Sequence, residues 1–573
     1  MVRIGLNYGS STLTAANLQN NTGYGEGYRF GYYDEDLEFI EIGYTETDQT
    51  KLTILPTSQM YYTGSEYVKE CPDKSYDSIG CYHVVLGCYD SFEEALEAGE
   101  DYRGSFVAWI KGVYQLRQGA YETKEEAEAA MEELEGEEVK GTSSYAVNVV
   151  ETGKSRILFQ FDGGKDTPMG IMPDVTGEDD VRTWFKGYKY RGGFRYERID
   201  GQDLTVVNII DLETYIQGVI PYEMSNNWPL EALKAQAVCA RSYAYNNLEE
   251  NKHSAVYHFD LCNTVDCQVY RGVGSDNTRY QANELTDRAV LETAGEYGLY
   301  DGEPIWAFYS SSHGGASERI DNVWDRSLSK FPYICGVIDP YEKKTAHLNS
   351  YSYWMKVWTR EELTQRLRER GYAANTTVEE LELTYSERGN AIKVKVIYKN
   401  GKENTFTPKM SWGLLSLFGI SSLHFTINGQ GTGEQVEVPS EEITQTPVSG
   451  AVMVNSNEEL DTDQRLYVLS GKSKNRRLEL KDACFITGDG DVITLEDVMD
   501  DEESSEGTSG NAAPDTPTNT VVRITGNRFV LEGAGNGHQL GMSQFGAYAM
   551  AEEGFTYEDI VEFYYPGTQV DTL

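Results

Sequence analysis

A strand, a helix cap and a helix follow one another twice between residues 84 and 127, and this near-repeat limits most tightly how the first part of the chain can fold. Val84-Val85-Leu86-Gly87-Cys88-Tyr89-Asp90-Ser91-Phe92-Glu93-Glu94-Ala95 returns as Gln115-Leu116-Arg117-Gln118-Gly119-Ala120-Tyr121-Glu122-Thr123-Lys124-Glu125-Glu126-Ala127. Ser91 and Thr123 stand where an N-cap hydroxyl is wanted, and the Glu pairs behind them suit the positive end of a helix. Phe106-Val107-Ala108-Trp109-Ile110 and Tyr145-Ala146-Val147-Asn148-Val149-Val150 read as further strands. Residues 79–151 are therefore expected as a two-layer βαββαβ module with one sheet face open.

The whole chain has 573 residues, enough for two to four domains. Its 49 Lys and Arg stand against 92 Asp and Glu, a net charge of −43 that repels phosphate backbones, so general nucleic-acid binding is excluded. With 41 Tyr against 15 Pro the composition is that of a folded, acidic, tyrosine-rich protein. No run approaches the roughly 20 apolar residues of a membrane helix, and Met1-Val2-Arg3-Ile4-Gly5-Leu6 lacks a signal-peptide core. A start on a strand-like run fits a chain from which a signal or anchor has been removed.

Residues 1–78 alternate aromatic and polar side chains between Gly and Asn/Asp turns and read as short strands without a chemical motif. A larger α+β region is expected from 152 to 428. It includes a helix that starts near Pro229 and carries Leu230, Leu233, Ala237, Ala240 and Ala244 on one face. Residues 429–520 read as an insertion with a small β subdomain and an acidic run from Asp497 to Glu506, and a compact fold resumes over 521–573.

Two places carry chemistry. Glu223 lies between Pro221-Tyr222 and Met224, in an apolar setting expected to raise its pKa and keep it protonated as a general acid; the plainer reading is a carboxylate capping the next helix. Cys262 and Cys267, with His253 and His258 just upstream, suggest a Cys₂His zinc site, against a disulfide or two buried thiols.

Leu212-Glu213-Thr214-Tyr215-Ile216-Gln217-Gly218-Val219-Ile220-Pro221-Tyr222-Glu223-Met224 runs into Trp228-Pro229-Leu230-Glu231-Ala232-Leu233-Lys234-Ala235-Gln236-Ala237-Val238-Cys239-Ala240-Arg241. Cys262-Asn263-Thr264-Val265-Asp266-Cys267, Phe308-Tyr309-Ser310-Ser311-Ser312-His313-Gly314-Gly315 and Gly535-Asn536-Gly537-His538-Gln539-Leu540-Gly541-Met542-Ser543-Gln544 follow in order. In these motifs the chain resembles the SpoIID/LytB family over about 152–428 and 521–573. The resemblance implies a lytic transglycosylase in which Glu223 cuts between N-acetylmuramic acid and N-acetylglucosamine and leaves a 1,6-anhydro end. It also implies substrate-binding positions at Lys234, Gln236, Arg241, Tyr309, Ser310, His538 and Gln544. A zinc site, structural rather than catalytic, follows at Cys262 and Cys267 with a His upstream, His253 or His258; Asp266 stands where relatives often have a further His. Arg241 and Lys234 read equally well as partners of internal acids.

The Gly-x-Tyr-x-Ser/Thr-x-x-Glu-Ala pattern of Gly87–Ala95 and Gly119–Ala127 resembles the SPOR domain, which implies binding to denuded glycan strands; the alternative is a generic ferredoxin-like packing module. Together these readings give an extracytoplasmic protein of a Gram-positive spore former. It acts on peptidoglycan glycan strands beside a cell-wall amidase, and any membrane attachment runs through an anchor outside this sequence. A silent glycan-binding scaffold and a zinc-dependent cell-wall hydrolase are the competing readings.

Overall fold

The computed structural model describes residues 1–20, 26–71, 76–174, 181–250, 253–276, 281–431 and 519–573, with four short strands between the last two spans. Strands and helices mix in an α+β fold, and the chain divides into two compact units, 1–308 with 550–573, and 309–549. No helix among the described residues is long and apolar enough to cross a membrane.

The first unit is built on two large sheets. A seven-stranded one runs Leu261–Cys262, Val2–Asn7, Thr205–Ile210, Gly193–Glu197, Met169–Pro173, Tyr28–Tyr33, Phe39–Tyr44. A ten-stranded one begins Glu138–Lys140, Tyr82–Tyr89, Val113–Tyr121, Ser105–Ile110 and continues through Ile157–Asp162, Val147–Glu151 and Lys51–Pro56. Phe30 of one sheet stacks on Phe159 of the other at 4.8 Å. The boundaries expected at 78/79 and 151/152 fall inside these sheets: Val2 pairs with Ile210, and Val149 pairs with Ile54. Side-chain alternation marks a strand but not its partner, which lies anywhere along the chain.

Within 79–151 the expected order is present, with Ser91 accepting from the Glu94 N–H and Thr123 closing a capping box with Glu126. The four strands run fourth-first-third-second and antiparallel, the split βαβ arrangement. Two expectations change. The sixth element is Glu138–Lys140, because the chain turns back directly after the helix Lys124–Leu134, while Val147–Glu151 pairs with Lys51–Pro56 and Ile157–Asp162. The sheet face expected to be open is filled. Leu116 reaches Gly99 at the end of the first helix, so its neighbour Arg117 points to the other face. There Phe106, paired with Arg117, packs with Leu55, Met60, Ile79, Val150 and Ile157.

The same face buries a polar network. Arg117 donates to Gln160 at 2.7 Å, and Gln160 donates to Asn148 at 2.8 Å. His83 bridges Gln160 at 2.9 Å and the Gly119 carbonyl at 2.6 Å. Burial pulls the His83 pKa from 6.5 down to about 4. The unfolded chain therefore binds the proton first, and stability is lost as pH falls from about 6.5 towards 4. From pH 7 to 4.5 this one group should cost about 2–3 kcal/mol. In urea titrations at the two pH values, His83→Gln should lose less stability on acidification than the wild type by about that amount; equal losses would contradict the assignment.

In the second unit, Thr520–Thr525 pairs with Val378–Tyr385, and Arg528–Ala534 lies between Trp354–Thr359 and His424–Ile427. The chain thus returns after residue 518 to sheets it had left at 427. Of the expected insertion, Gln464–Val468 pairs with Arg476–Glu479 and Cys484–Ile486 with Val492–Thr494. The acidic run from Asp497 to Glu506 lies outside the described residues.

Candidate active site and metal centre

Helix Leu212–Glu223 begins on Asp211, whose side chain accepts from the Thr214 N–H. Gly218 lets Tyr270 cross it closely: a Cβ there would stand 2.5 Å from the tyrosine ring. Pro221 has no N–H for the Gln217 carbonyl and sits in the last turn, where the loss is least disruptive. Glu223 is the final helical residue, half-buried, with Oε1 accepting from the Val269 N–H at 3.3 Å. The next helix, Leu230–Glu250, starts well beyond it, so Glu223 is not its cap.

The neighbouring carboxylates are committed. Glu213 takes both arms of Arg241 at 2.8 and 2.7 Å and the Gly295 N–H at 3.1 Å, while Arg241 spends a third N–H on the Glu296 carbonyl and is wholly buried. Glu231 pairs with Lys234 at 3.0 Å and accepts from the Tyr557 N–H at 3.0 Å. Lys234 also pairs with Glu292 at 2.7 Å. Arg241 and Lys234 are thus held on internal acids in this structure, and Gln236 is buried within the same helix. Arg241→Met should destabilise the unit by about 2–4 kcal/mol, because Glu213 keeps its charge without its fork-shaped partner. A loss below about 1 kcal/mol in urea unfolding would contradict that role.

His253, Cys262, Asp266 and Cys267 bring four donor atoms within 4.8 Å of one another. His253 Nε2 is 3.3 Å from Cys267 Sγ and 3.6 Å from Asp266 Oδ2. Around a tetrahedral ion with bonds of about 2.0–2.3 Å, neighbouring donors stand roughly 3.3–3.8 Å apart, so the set fits zinc. Hydrogen bonding from Cys267, opposed by burial and helped by Thr264, pulls the Cys262 thiol down towards the thiolate a metal requires. Tyr8 packs on Phe259 at 4.7 Å and on Tyr257 at 5.1 Å beside the cluster. His258 is turned elsewhere, with Nδ1 on Glu197 at 2.5 Å, so the geometry selects His253. Asp266 was not expected as a ligand; the signal lay in its position directly before the second cysteine.

In the 309–549 unit, Tyr309–Ser310 runs parallel to Met542–Ser543, which joins two of the sequence motifs. Tyr309 is half-buried, and Ser310 is 9% exposed with no partner for Oγ among the described residues. His538 accepts from the Leu540 N–H at 3.1 Å and lies 5.2 Å from the Trp324 ring; burial lowers its pKa to about 4. Gln544 is buried at the start of helix Gln544–Glu552. His313 is fully buried, its pKa pushed to about 3 by burial and by the nearby His538.

Glu342, which stands in none of the motifs read from the sequence, links two of them. Its buried carboxylate accepts from Ser312 Oγ, from the His313 and Gly314 N–H groups at 2.9 and 3.0 Å, and from Ser543 Oγ at 2.8 Å. Burial, reinforced by Asp339, raises its pKa above the usual carboxylate range.

An α+β unit that ends a helix on a half-buried glutamate and gathers a thiol–imidazole–carboxylate cluster is the class defined by fold and site. Residues 200–300, which carry Glu223 and all four donors, match the SpoIID family, described as Stage II sporulation protein. Stage II sporulation protein D of Bacillus subtilis (strain 168) is 25% identical over 372 residues, 64% of this chain and 75% of that one. The amidase enhancer of the same organism is 27% identical over 353 residues, 62% of this chain but only 40% of the relative's length. An uncharacterised protein of Brachyspira hyodysenteriae is 25% identical over 471 residues, 82% of this chain and 90% of that one. Over these spans the chain is similar to SpoIID proteins.

Proposed function

We propose that the protein is a peptidoglycan lytic transglycosylase acting on denuded glycan strands through Glu223. The observation that carries this reading is the placement of Glu223, half-buried at the end of helix Leu212–Glu223 with the Val269 N–H on its Oε1. Its neighbours Glu213 and Glu231 are tied to Arg241 and Lys234. Water-using glycosidases need two working carboxylates. A transglycosylase needs one: protonated Glu223 gives its proton to the glycosidic oxygen as the C1–O bond breaks. The resulting carboxylate then takes the proton of the muramic acid 6-hydroxyl, whose oxygen closes on C1. Proton and electron pairs balance without water, and Glu223 ends protonated as it began.

Zinc, when bound, would supply a fixed cross-link among His253, Cys262, Asp266 and Cys267. Four protein donors close a tetrahedral ion, which favours a structural site over the hydrolase reading. The cross-linked stretch leads within two residues to Val269, whose N–H holds Glu223. Tyr309, Ser310, His538 and Gln544 remain proposed contacts to sugar. A glycan-holding role for 79–151 has to use a surface other than the filled sheet face. The name of the amidase enhancer supports a role beside an amidase, and that of Stage II sporulation protein D a role in sporulation; the proposed substrate places the protein outside the cytoplasm, in wall remodelling.

Amidase-treated peptidoglycan should yield anhydro-muramoyl ends with the wild type and none with Glu223→Gln, read by mass spectrometry. Glycan binding without cleavage by either protein would favour the scaffold.

A further inference from the structure

A shallow pocket of about 350 Å³ in the 309–549 unit is lined by Arg368, Asn375, Thr376, Thr377, Lys399 and Asn400. Each of these side chains offers an N–H or O–H donor and none is a carboxylate, in a chain with 92 Asp and Glu. Arg368 spends one N–H on the Thr376 carbonyl at 2.7 Å, and the Lys399 N–H holds the Thr377 carbonyl at 3.0 Å, which ties the walls together. Neither Arg368 nor Lys399 pairs with an acid among the described residues, whereas Lys395 nearby in sequence pairs with Glu382 at 3.2 Å. Thr376 is buried, and its Oγ1 has no partner among the described residues. The surrounding stretch 356–409 is itself basic, with eleven Lys and Arg against eight Glu.

Two cations without an acid partner among the described residues, together with four polar donors around one hollow, are suited to an oxyanion. The donors exceed what the two oxygens of one carboxylate accept and match the oxygens of a phosphate. We propose that this pocket is a phosphate-binding site, its ligand a phosphate group either free or within a phosphodiester polymer. The site stands apart from the glycan-cleavage reading and holds or fails independently of it.

The test is calorimetric titration of the full chain with inorganic phosphate and, separately, with a soluble glycerol-phosphate oligomer. Wild type and the control Lys330→Gln/Lys343→Gln should bind saturably, and Arg368→Gln/Lys399→Gln should bind at least about tenfold more weakly at a temperature where all three proteins remain folded by circular dichroism. Both double variants remove the same charge, so a loss confined to the pocket pair separates a site from general attraction. Tighter binding of the oligomer assigns the ligand to a polymer, and equal binding assigns it to the phosphate group alone. Absence of saturable binding of either probe, or equal weakening in both double variants, overturns the proposal.

Discussion

Glu223→Gln is expected to lower turnover of denuded glycan strands by about 10³-fold, within the range set by losing a positioned general acid. The amide keeps Oε1 as an acceptor for the Val269 N–H, so neither the end of helix Leu212–Glu223 nor the contact to the 262–270 stretch should change. Thermal unfolding and glycan binding should therefore match the wild type, while release of soluble fragments falls. A variant that keeps more than about a tenth of the activity would remove Glu223 from the chemistry. A variant that unfolds early would instead show that the residue is structural.

Cys267→Ser should produce the other large effect. The purified wild type is expected to carry about one zinc per chain by elemental analysis, and the variant to carry little. Because binding free energy at a structural zinc is folding free energy, the loss should amount to several kcal/mol and lower the melting temperature by about 10 °C or more. Activity should fall with it, since Cys267 lies two residues from the backbone donor to Glu223. Asp266→Ala should weaken zinc binding by a smaller factor, about 10–100-fold, if three protein donors and water take over. Wild-type protein that neither contains zinc nor takes it up after chelation would contradict the metal reading.

What the sequence made legible was local. Ser91 and Thr123 cap their helices through bonds between near neighbours, and Leu233, Ala237, Ala240 and Ala244 are buried as their spacing predicts, with Leu230 half-buried at the helix start. The cysteines and His253 come together because only fourteen residues separate them, and the loop brings Asp266 along. Partners far apart in sequence were not legible. Nothing in Val2–Asn7 announces Thr205–Ile210, and nothing in 79–151 announces that strands from 51–79 fill its sheet face. The roles of Arg241 and Lys234 were equally open, because a cation on a helix face reads the same whether an acid or a substrate meets it. Glu342 was invisible for the same reason: its four donors come from two motifs some two hundred residues apart.

One carboxylate, without water, is expected to cut the glycan. Digesting amidase-treated strands in H₂¹⁸O and weighing the new muramoyl ends tests it most directly. The account predicts ends lighter by one water than a reducing sugar and free of ¹⁸O, formed by wild type and not by Glu223→Gln. Reducing ends carrying ¹⁸O would mean that water attacks C1, and the transglycosylase account would be wrong.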